Sequence, residues 1–174
     1  MTPAIELVAV DKSFGSVHAV RGVSLAIEGA SITGIVGENG AGKSTLMSIL
    51  YGLYHADAGE IRIGGKPVRM NSPHDAIAHG IGMVHQHFML IDTFTVLENV
   101  VLGAERGPLL ARGMEAARAE LERLGREYGL IVDPDKRVAD LSVGEQQRVE
   151  ILKVLFRGAR ILILDEPSAV LTPQ

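Results

Sequence analysis

Apolar positions in the first third of the chain occur in short runs of the kind that form β-strands. Three such runs are rich in β-branched residues and bounded by Gly, Asp or Ser, and they predict strands at 5–10, 23–27 and 31–36. In 60–68, EIRIGGKPV, a Gly64–Gly65 pair separates two extended halves and predicts a hairpin. The stretch 80–86, GIGMVHQ, predicts a further strand.

Helical periodicity follows each of these strand-rich regions. Residues 43–53 place apolar side chains on one of two faces, either Met47, Leu50 and Tyr51 or Leu46, Ile49, Leu50 and Leu53. Apolar residues then recur at steps of three and four, with charged residues opposite, at Met114, Ala117, Leu121, Leu124 and Tyr128. This spacing predicts an amphipathic helix. Residues 144–159 predict another helix, more apolar overall.

The end of the chain returns to a strand pattern. Ile161–Leu164 is continuously apolar, which is typical of a strand covered on both faces. The whole pattern predicts an α/β fold in one domain, 1–174. Within it, 1–87 and 158–174 form an α/β core with a β subdomain, and 88–157 form an inserted helical subdomain.

Composition restricts the class of protein. The 174 residues are 47% hydrophobic and carry a net charge of −4 with no cysteine, so we expect one domain with a large core and no disulfide or cysteine metal site. A phosphate-backbone binder is usually more basic, so we do not expect a nucleic-acid partner. No run approaches the roughly 18 apolar residues of a membrane span, and the start lacks a basic leader. The mean hydropathy of +0.21 fits either a large core, which we favour, or an apolar docking surface.

The stretch GENGAGKS, residues 37–44, matches the phosphate-binding P-loop G-x-x-x-x-G-K-[ST]. Glycines allow backbone N–H groups to surround an anion, and the helix that follows directs its positive N-terminus at the same place. Lys43 can reach the β- and γ-phosphates, and the Ser44 hydroxyl can bind Mg²⁺. The alternative is a glycine-rich turn with a surface lysine, but the predicted strand before and helix after favour the P-loop.

Two acidic residues end the last predicted strand. A carboxylate at Asp165 is costly there without a partner, and Mg²⁺ bound with Ser44 would be that partner. Glu166 follows directly and could act as the general base that polarises an attacking water. The alternative is an Asp–Glu pair that ends the strand before Pro167.

A second helix start carries anion-binding character. In LSVGEQQ, residues 141–147 and here called the signature segment, Ser142 and Gly144 stand where the helix predicted over 144–159 begins. A single nucleotide needs only one such site, so a second raises the possibility of a shared nucleotide. Taken alone, Ser142 and Glu145 are better explained by a capping box.

The order GENGAGKST, Gln86, LSVGEQQ, ILILDEP resembles the nucleotide-binding subunit of ATP-binding cassette (ABC) transporters over essentially the whole chain. MVHQHFML and SAVLTPQ resemble the importers of simple sugars and nucleosides. The resemblance implies a P-loop NTPase core, ATP and Mg²⁺ as ligands, and a head-to-tail dimer with a second cassette. It also implies transmembrane permease subunits, an indirect link to a solute-binding protein, and a peripheral location at the cytoplasmic face of the cell membrane.

The resemblance assigns a role to each motif residue. Phe14 would stack on adenine, although a core phenylalanine has the same spacing, and Gln86 and Glu166 would be catalytic. Residues 88–103 would receive a coupling helix of the permease, with Phe94 and Val96 directed inward or toward that groove. Nucleotide binding is implied for Phe14, Gly37, Asn39, Gly40, Gly42, Lys43, Ser44 and Thr45. Contact in trans is implied for Leu141, Ser142, Gly144, Glu145 and Gln146, and Mg²⁺ binding for Ser44, Gln86 and Asp165.

The chain departs from the family pattern at three places. Val143 and Glu145 replace the commoner Gly and Gln, as also occurs in the sugar and nucleoside group, and Thr172 stands near the place of a frequent aspartate. The family's switch histidine would lie beyond Gln174, and His85 and His87 do not substitute for it. From this we expect a chain truncated before that histidine, with impaired catalysis, or one piece of a longer polypeptide with two cassettes.

Three functions are compatible with the sequence. The ordered motifs favour the ATP-hydrolysing subunit of an importer for a small solute. A truncated cassette that binds ATP with little turnover is the alternative suggested by the missing histidine. A non-transport ABC ATPase is the third, and the acidic charge and the resemblance to a permease-docking segment argue against it.

Overall fold

The computed structural model describes residues 2–104 and 113–165. The chain divides into two compact units, Met1–Ile81 and Gly82–Gln174. Glu166, Pro167 and Thr172, which carried predictions above, lie outside the described residues. None of the helices in the described ranges combines the length and the apolar character needed to cross a membrane.

The first unit contains a four-stranded antiparallel sheet in the order β2-β1-β3-β4. Its strands are β1 Ile5–Phe14, β2 Val17–Ile27, β3 Ala58–Ile63 and β4 Lys66–Val68. The hairpin predicted at Gly64–Gly65 joins β3 to β4, with Ile63 paired to Lys66. Strands β1 and β2 are longer than the runs at 5–10 and 23–27, because their polar ends continue the ladder as far as the Phe14–Val17 pair.

Two helices complete the first unit, α1 Lys43–Leu50 and α2 Pro73–Ala78. Leu46, Ile49 and Leu50 of the second predicted face are buried, so this face packs. Its fourth residue, Leu53, lies beyond the end of α1 and is 48% exposed. The start of α2 follows from local sequence, since Ser72 is the N-cap and proline occupies the first turn, where its missing N–H costs nothing.

The predicted strand at 31–36 is wrong. This segment is irregular and pairs with no strand in the described part of the chain. Ile32 and Val36 are almost fully exposed. A strand exists only where a neighbour takes up its backbone hydrogen bonds, and apolar periodicity alone cannot supply that neighbour.

The described part of the second unit combines a two-stranded sheet with three α-helices. Its strands are β5 Ile81–Val84, which starts at the junction of the units, and β6 Ile161–Leu164. Its helices are α3 Val96–Val101, α4 Met114–Tyr128 and α5 Val143–Phe156, with a 3₁₀ turn at Val138–Asp140. A β-carbon added to Gly82 would lie 1.9 Å from Val154 Cγ1, so α5 packs directly on β5.

One hydrophobic core holds the three helices together. It is made of Val96, Leu97, Val100, Val101, Ala117, Leu121, Leu124, Val138, Leu141, Val149, Leu152 and Phe156. The inner residues of the face predicted for α4 are therefore confirmed, while Met114 and Tyr128 at its two ends are exposed. Val96 is fully buried, and Phe94 is partly buried.

The prediction that the last strand is covered on both faces is also wrong. Ile163 is buried, but Leu162 and Leu164 on the opposite face are 39% and 45% exposed. Alternate residues of a strand point to opposite faces, so β6 buries one face only.

Candidate functional site

The phosphate-binding loop of the first unit has a backbone that requires glycine. Gly40 and Gly42 have φ values of 83° and 86°, in the left-handed region. Gly42 is also the residue that caps the start of α1. A β-carbon at Gly42 would lie 2.1 Å from the carbonyl oxygen of Ala19 in β2, so the loop rests directly against the edge strand of the sheet.

The Lys43 side chain forms hydrogen bonds across the loop. Its Nζ donates hydrogen bonds to the carbonyl oxygens of Gly37 and Glu38, at 2.7 and 2.8 Å. The amide of Ala41 donates to the Glu38 carbonyl at 3.1 Å, which forms a turn beneath the lysine. The cation is therefore fixed across the loop, beside a helix start whose first amides have no intrahelical acceptor.

A pocket of about 430 Å³ opens beside this loop. That volume falls within the range of about 300–1,000 Å³ that is usual for small-ligand sites. Three parts of the first unit line it, the loop at 40–43 with Leu46, strand β2 at 18–21 and Val23, and Ile35 with Val36. The segment at 31–36 thus contributes to the wall of the pocket although it is not a strand.

Two basic residues of the pocket were missed by sequence reasoning. His18 and Arg21 lie on β2 and line the pocket beside Lys43. The His18 ring nitrogen Nε2 lies 2.9 Å from Asp11 Oδ1 on the paired strand β1. A lone histidine and a lone arginine in a strand carry no motif, so only the packing of the loop against β2 reveals them.

Phe14 is not a core residue. Its ring is 43% exposed and meets the Tyr54 ring edge-on, with centroids 5.1 Å apart. Lys12 Nζ lies 5.4 Å from the Phe14 centroid and is held at 2.7 Å by Asp57, whose other oxygen accepts from the Ser13 amide. The hydrogen bond from Lys12, followed by that from Ser13, lowers the pKa of Asp57. Phe14 lies outside the lining of the pocket.

The signature segment starts α5 with a complete capping box. Ser142 Oγ accepts from the Glu145 amide at 3.3 Å, and Glu145 Oε2 accepts from the Ser142 amide at 2.8 Å. The Ser142 hydroxyl also donates to the Glu145 carboxylate at 2.7 Å. Lys136 Nζ lies 3.0 Å from the other oxygen of that carboxylate. The Ser142 hydroxyl, the Ser142 amide and then Lys136 lower the pKa of Glu145 to about 2.

The capping box and an exposed helix start are both present in this segment. Ser142, Val143 and Gly144 are exposed, whereas Leu141 is buried and its carbonyl accepts from the Gln146 side chain. Nothing lies within 4 Å of a β-carbon placed on Gly144. The helix start is therefore open to solvent and free to meet a ligand.

The proposed Mg²⁺ ligands are distributed over both units. Ser44 is in the first unit, and Gln86 and Asp165 are in the second. Gln86 is exposed, and Asp165 is half-buried at the end of β6, where its amide donates to the Val84 carbonyl at 3.1 Å. Hydroxyl, amide and carboxylate oxygens are donors that suit Mg²⁺. Among the described residues, no group of three or more His, Cys, Asp or Glu side chains could hold a metal ion.

Comparison with known proteins places this geometry in a family. The family model described as ABC transporter matches residues 20–169. The guanosine import ATP-binding protein NupO of Bacillus subtilis is 50% identical over 173 residues, which cover 99% of this chain and 34% of NupO. The ribose import ATP-binding protein RbsA 1 of Burkholderia thailandensis is 45% identical over 174 residues, 99% of this chain and 34% of its own length.

A solved structure confirms the fold class. The structure of cbiO1 from Clostridium perfringens, described as part of the ABC transporter complex cbiONQ, matches with a TM-score of 0.84 at 28% identity. The match covers 99% of this chain and 68% of cbiO1. The α/β P-loop NTPase fold predicted from the sequence is therefore correct. The chain spans about a third of the length of the curated import proteins NupO and RbsA 1.

Proposed function

Because the chain belongs to the ABC transporter family, we propose that it binds and hydrolyses ATP to power an importer of a small solute, a nucleoside or a simple sugar. The observation that carries the proposal is the loop at 40–43, with Lys43 fixed across it beside a pocket of about 430 Å³. The import of guanosine and of ribose, named for NupO and RbsA 1, supports the solute class.

In this proposal the first unit binds the triphosphate. Gly37, Asn39, Gly40, Gly42, Lys43, Ser44 and Thr45 form the phosphate cradle. The carbonyl oxygens of Gly37 and Glu38 hold the Lys43 charge across the loop before ATP binds. When ATP binds, Lys43 exchanges these two acceptors for β- and γ-phosphate oxygens. Phe14 presents a half-exposed aromatic face to the adenine.

The second unit supplies the groups that act on the γ-phosphate. The start of α5, with the exposed Ser142 and Gly144 and the partly buried Glu145 and Gln146, binds the ATP held by a second cassette, since a helix N-terminus favours an anion. Leu141 is buried and supports this helix start from the core. The positive charge of Lys136 neutralises the negative charge of the Glu145 carboxylate, so that carboxylate does not repel a phosphate at the helix start. Glu166 removes a proton from the attacking water, and Gln86 orients that water.

Mg²⁺, bound by Ser44, Gln86 and Asp165, would neutralise charge on the β- and γ-phosphates. The partners in this proposal are transmembrane permease subunits, a second cassette in a head-to-tail dimer, and, through the permease, a solute-binding protein. Such an assembly places the chain at the cytoplasmic face of the membrane.

The test is solute uptake by proteoliposomes that contain the chain with its permease and solute-binding protein. We expect uptake of a nucleoside or a sugar that requires ATP hydrolysis. This uptake should be lost in Lys43→Ala. ATP bound without turnover would support a binding module instead, and turnover without any transported solute would support a non-transport ATPase.

A further inference from the structure

Side chains, rather than a neighbouring strand, hold the backbone that follows Gln86. The amide of Met89 donates to Glu150 Oε1 at 2.6 Å, and the Met89 carbonyl accepts from Lys153 Nζ at 2.8 Å. Two residues on, the amide of Ile91 donates to Asn99 Oδ1 at 2.7 Å and its carbonyl accepts from Asn99 Nδ2 at 3.0 Å. Side chains of α5 thus bind the backbone of Met89, and a side chain of α3 binds the backbone of Ile91.

The contacts from α5 come from an ion pair between the buried Glu150 and the largely buried Lys153. Glu150 is 4% exposed and lies on the same helix as the fully buried Val149 and Leu152. Its carboxylate lies 3.1 Å from Lys153, one turn further along α5. A buried ion pair contributes little net stability compared with apolar side chains of similar volume, because both charges lose their hydration. The pair therefore needs an explanation other than stability, and its bonds to Met89 supply one.

The hydrogen bonds between Met89 and α5 lie between two parts of the proposed site in the second unit, Gln86 and Ser142. Met89 is three residues from Gln86, a distance of at most about 10 Å along the chain. Glu150 is eight residues from Ser142 on the same helix, about 12 Å along its axis. Helix α5 and the short segment 86–89, here called the strap, are joined by Glu150 and Lys153. Together they connect the proposed γ-phosphate contact at Ser142 with Gln86.

We propose that Glu150 and Lys153 are positioning residues for ATP hydrolysis, which bind the strap carrying Gln86 to the helix carrying the signature segment. When ATP of the second cassette engages Ser142, α5 and Gln86 then move as one body. Neither residue contacts the nucleotide. The inference rests on the proposed function, because it takes Gln86 and Ser142 as parts of the hydrolytic site.

The test replaces the pair by apolar side chains of similar volume, Glu150→Leu with Lys153→Met, in the assembled transporter. We expect kcat for ATP to fall at least about tenfold, since small misplacements of catalytic groups are costly, while KM changes by less than about twofold. The Met89 amide should exchange with solvent faster, and Lys153→Arg, which keeps the donor, should retain kcat. The matched control is Glu120→Leu with Arg123→Met, an ion pair of the same i,i+3 spacing on α4, which should leave kcat unchanged.

Two results would overturn the inference by itself. One is an unchanged kcat in the double variant although Met89 exchange has risen, and the other is unchanged Met89 exchange. Failure of the proposed function has a different signature, namely wild-type turnover that does not depend on Lys43. In that case the hydrolytic role of the pair is also wrong, whatever the exchange at Met89.

Discussion

The carbonyl oxygen of Ala19 occupies the space that a side chain on Gly42 would need, 2.1 Å from the position of its β-carbon. This contact seats the phosphate-binding loop against the edge strand of the sheet. It makes the glycine at this position a requirement of packing as well as of backbone conformation.

Gly42→Ala should therefore be strongly disruptive. The substitution combines a left-handed φ with a clash against backbone, so we expect a loss of at least about 2 kcal/mol in the free energy of unfolding, together with weaker ATP binding. Gly40→Ala is the control, since its φ is similar but nothing lies within 4 Å of its β-carbon, and it should cost about 1 kcal/mol. Denaturant unfolding measures both, and equal losses would contradict the contact with Ala19.

Gly144→Ala should separate stability from function. Nothing lies within 4 Å of the added methyl group, and alanine favours a helix over glycine, so stability should be unchanged or higher by up to about 1 kcal/mol. The methyl group would stand between the helix start and a phosphate of the second cassette. We expect turnover at least about tenfold lower, measured as ATPase activity of the assembled transporter. Full activity would argue against the contact in trans.

Glu145 should make α5 sensitive to acid. Its pKa is lowered to about 2 from an ordinary 4.5, mainly by the Ser142 hydroxyl. The bonds of the carboxylate therefore stabilise the folded state above pH 4.5, and this contribution is lost as the pH falls from 4.5 to 2. Thermal unfolding should show the wild-type advantage over Glu145→Gln shrinking through that window. A constant difference across it would contradict the capping box.

Asn99→Ala should destabilise the second unit. The side chain is 2% exposed and makes hydrogen bonds to both backbone groups of Ile91 and to the Thr95 carbonyl. Losing these three hydrogen bonds and leaving a gap at a buried side chain should cost about 2 kcal/mol. Asn71→Ala, at an exposed position, is the control and should change stability by less than about 0.5 kcal/mol. Urea unfolding of the two variants provides the comparison.

The local parts of the fold could be predicted because their signals are local. The Gly64–Gly65 hairpin, the amphipathic α4 and the start of α5 each follow from turn chemistry, periodicity or capping within a few residues. The strand predicted at 31–36 depended instead on a neighbour, which apolar periodicity does not reveal. The burial of β6 was mispredicted for the same reason. Whether a face of this strand is buried depends on elements remote in sequence that pack against it.

The sequence reveals the motifs of the candidate site, but it does not reveal the residues that pack beside these motifs or bind them through hydrogen bonds. Lys43, Ser142 and Asp165 stand in spacings that chemistry dictates. His18 enters the pocket only because the loop packs on β2, and Glu150 reaches Met89 across 61 positions of sequence. One signal did exist for Glu150, a carboxylate beside the apolar residues of α5, and a buried charge implies a partner.

ATP turnover of the assembled transporter, with and without Lys43, decides whether the loop at 40–43 binds ATP for hydrolysis. Lys43→Ala removes the charge fixed across the loop, while Lys66→Ala removes an exposed lysine of β4 as the matched control. We expect kcat/KM to fall at least about a hundredfold in Lys43→Ala and to stay unchanged in Lys66→Ala. Turnover that survives the loss of Lys43 would contradict this role of the loop.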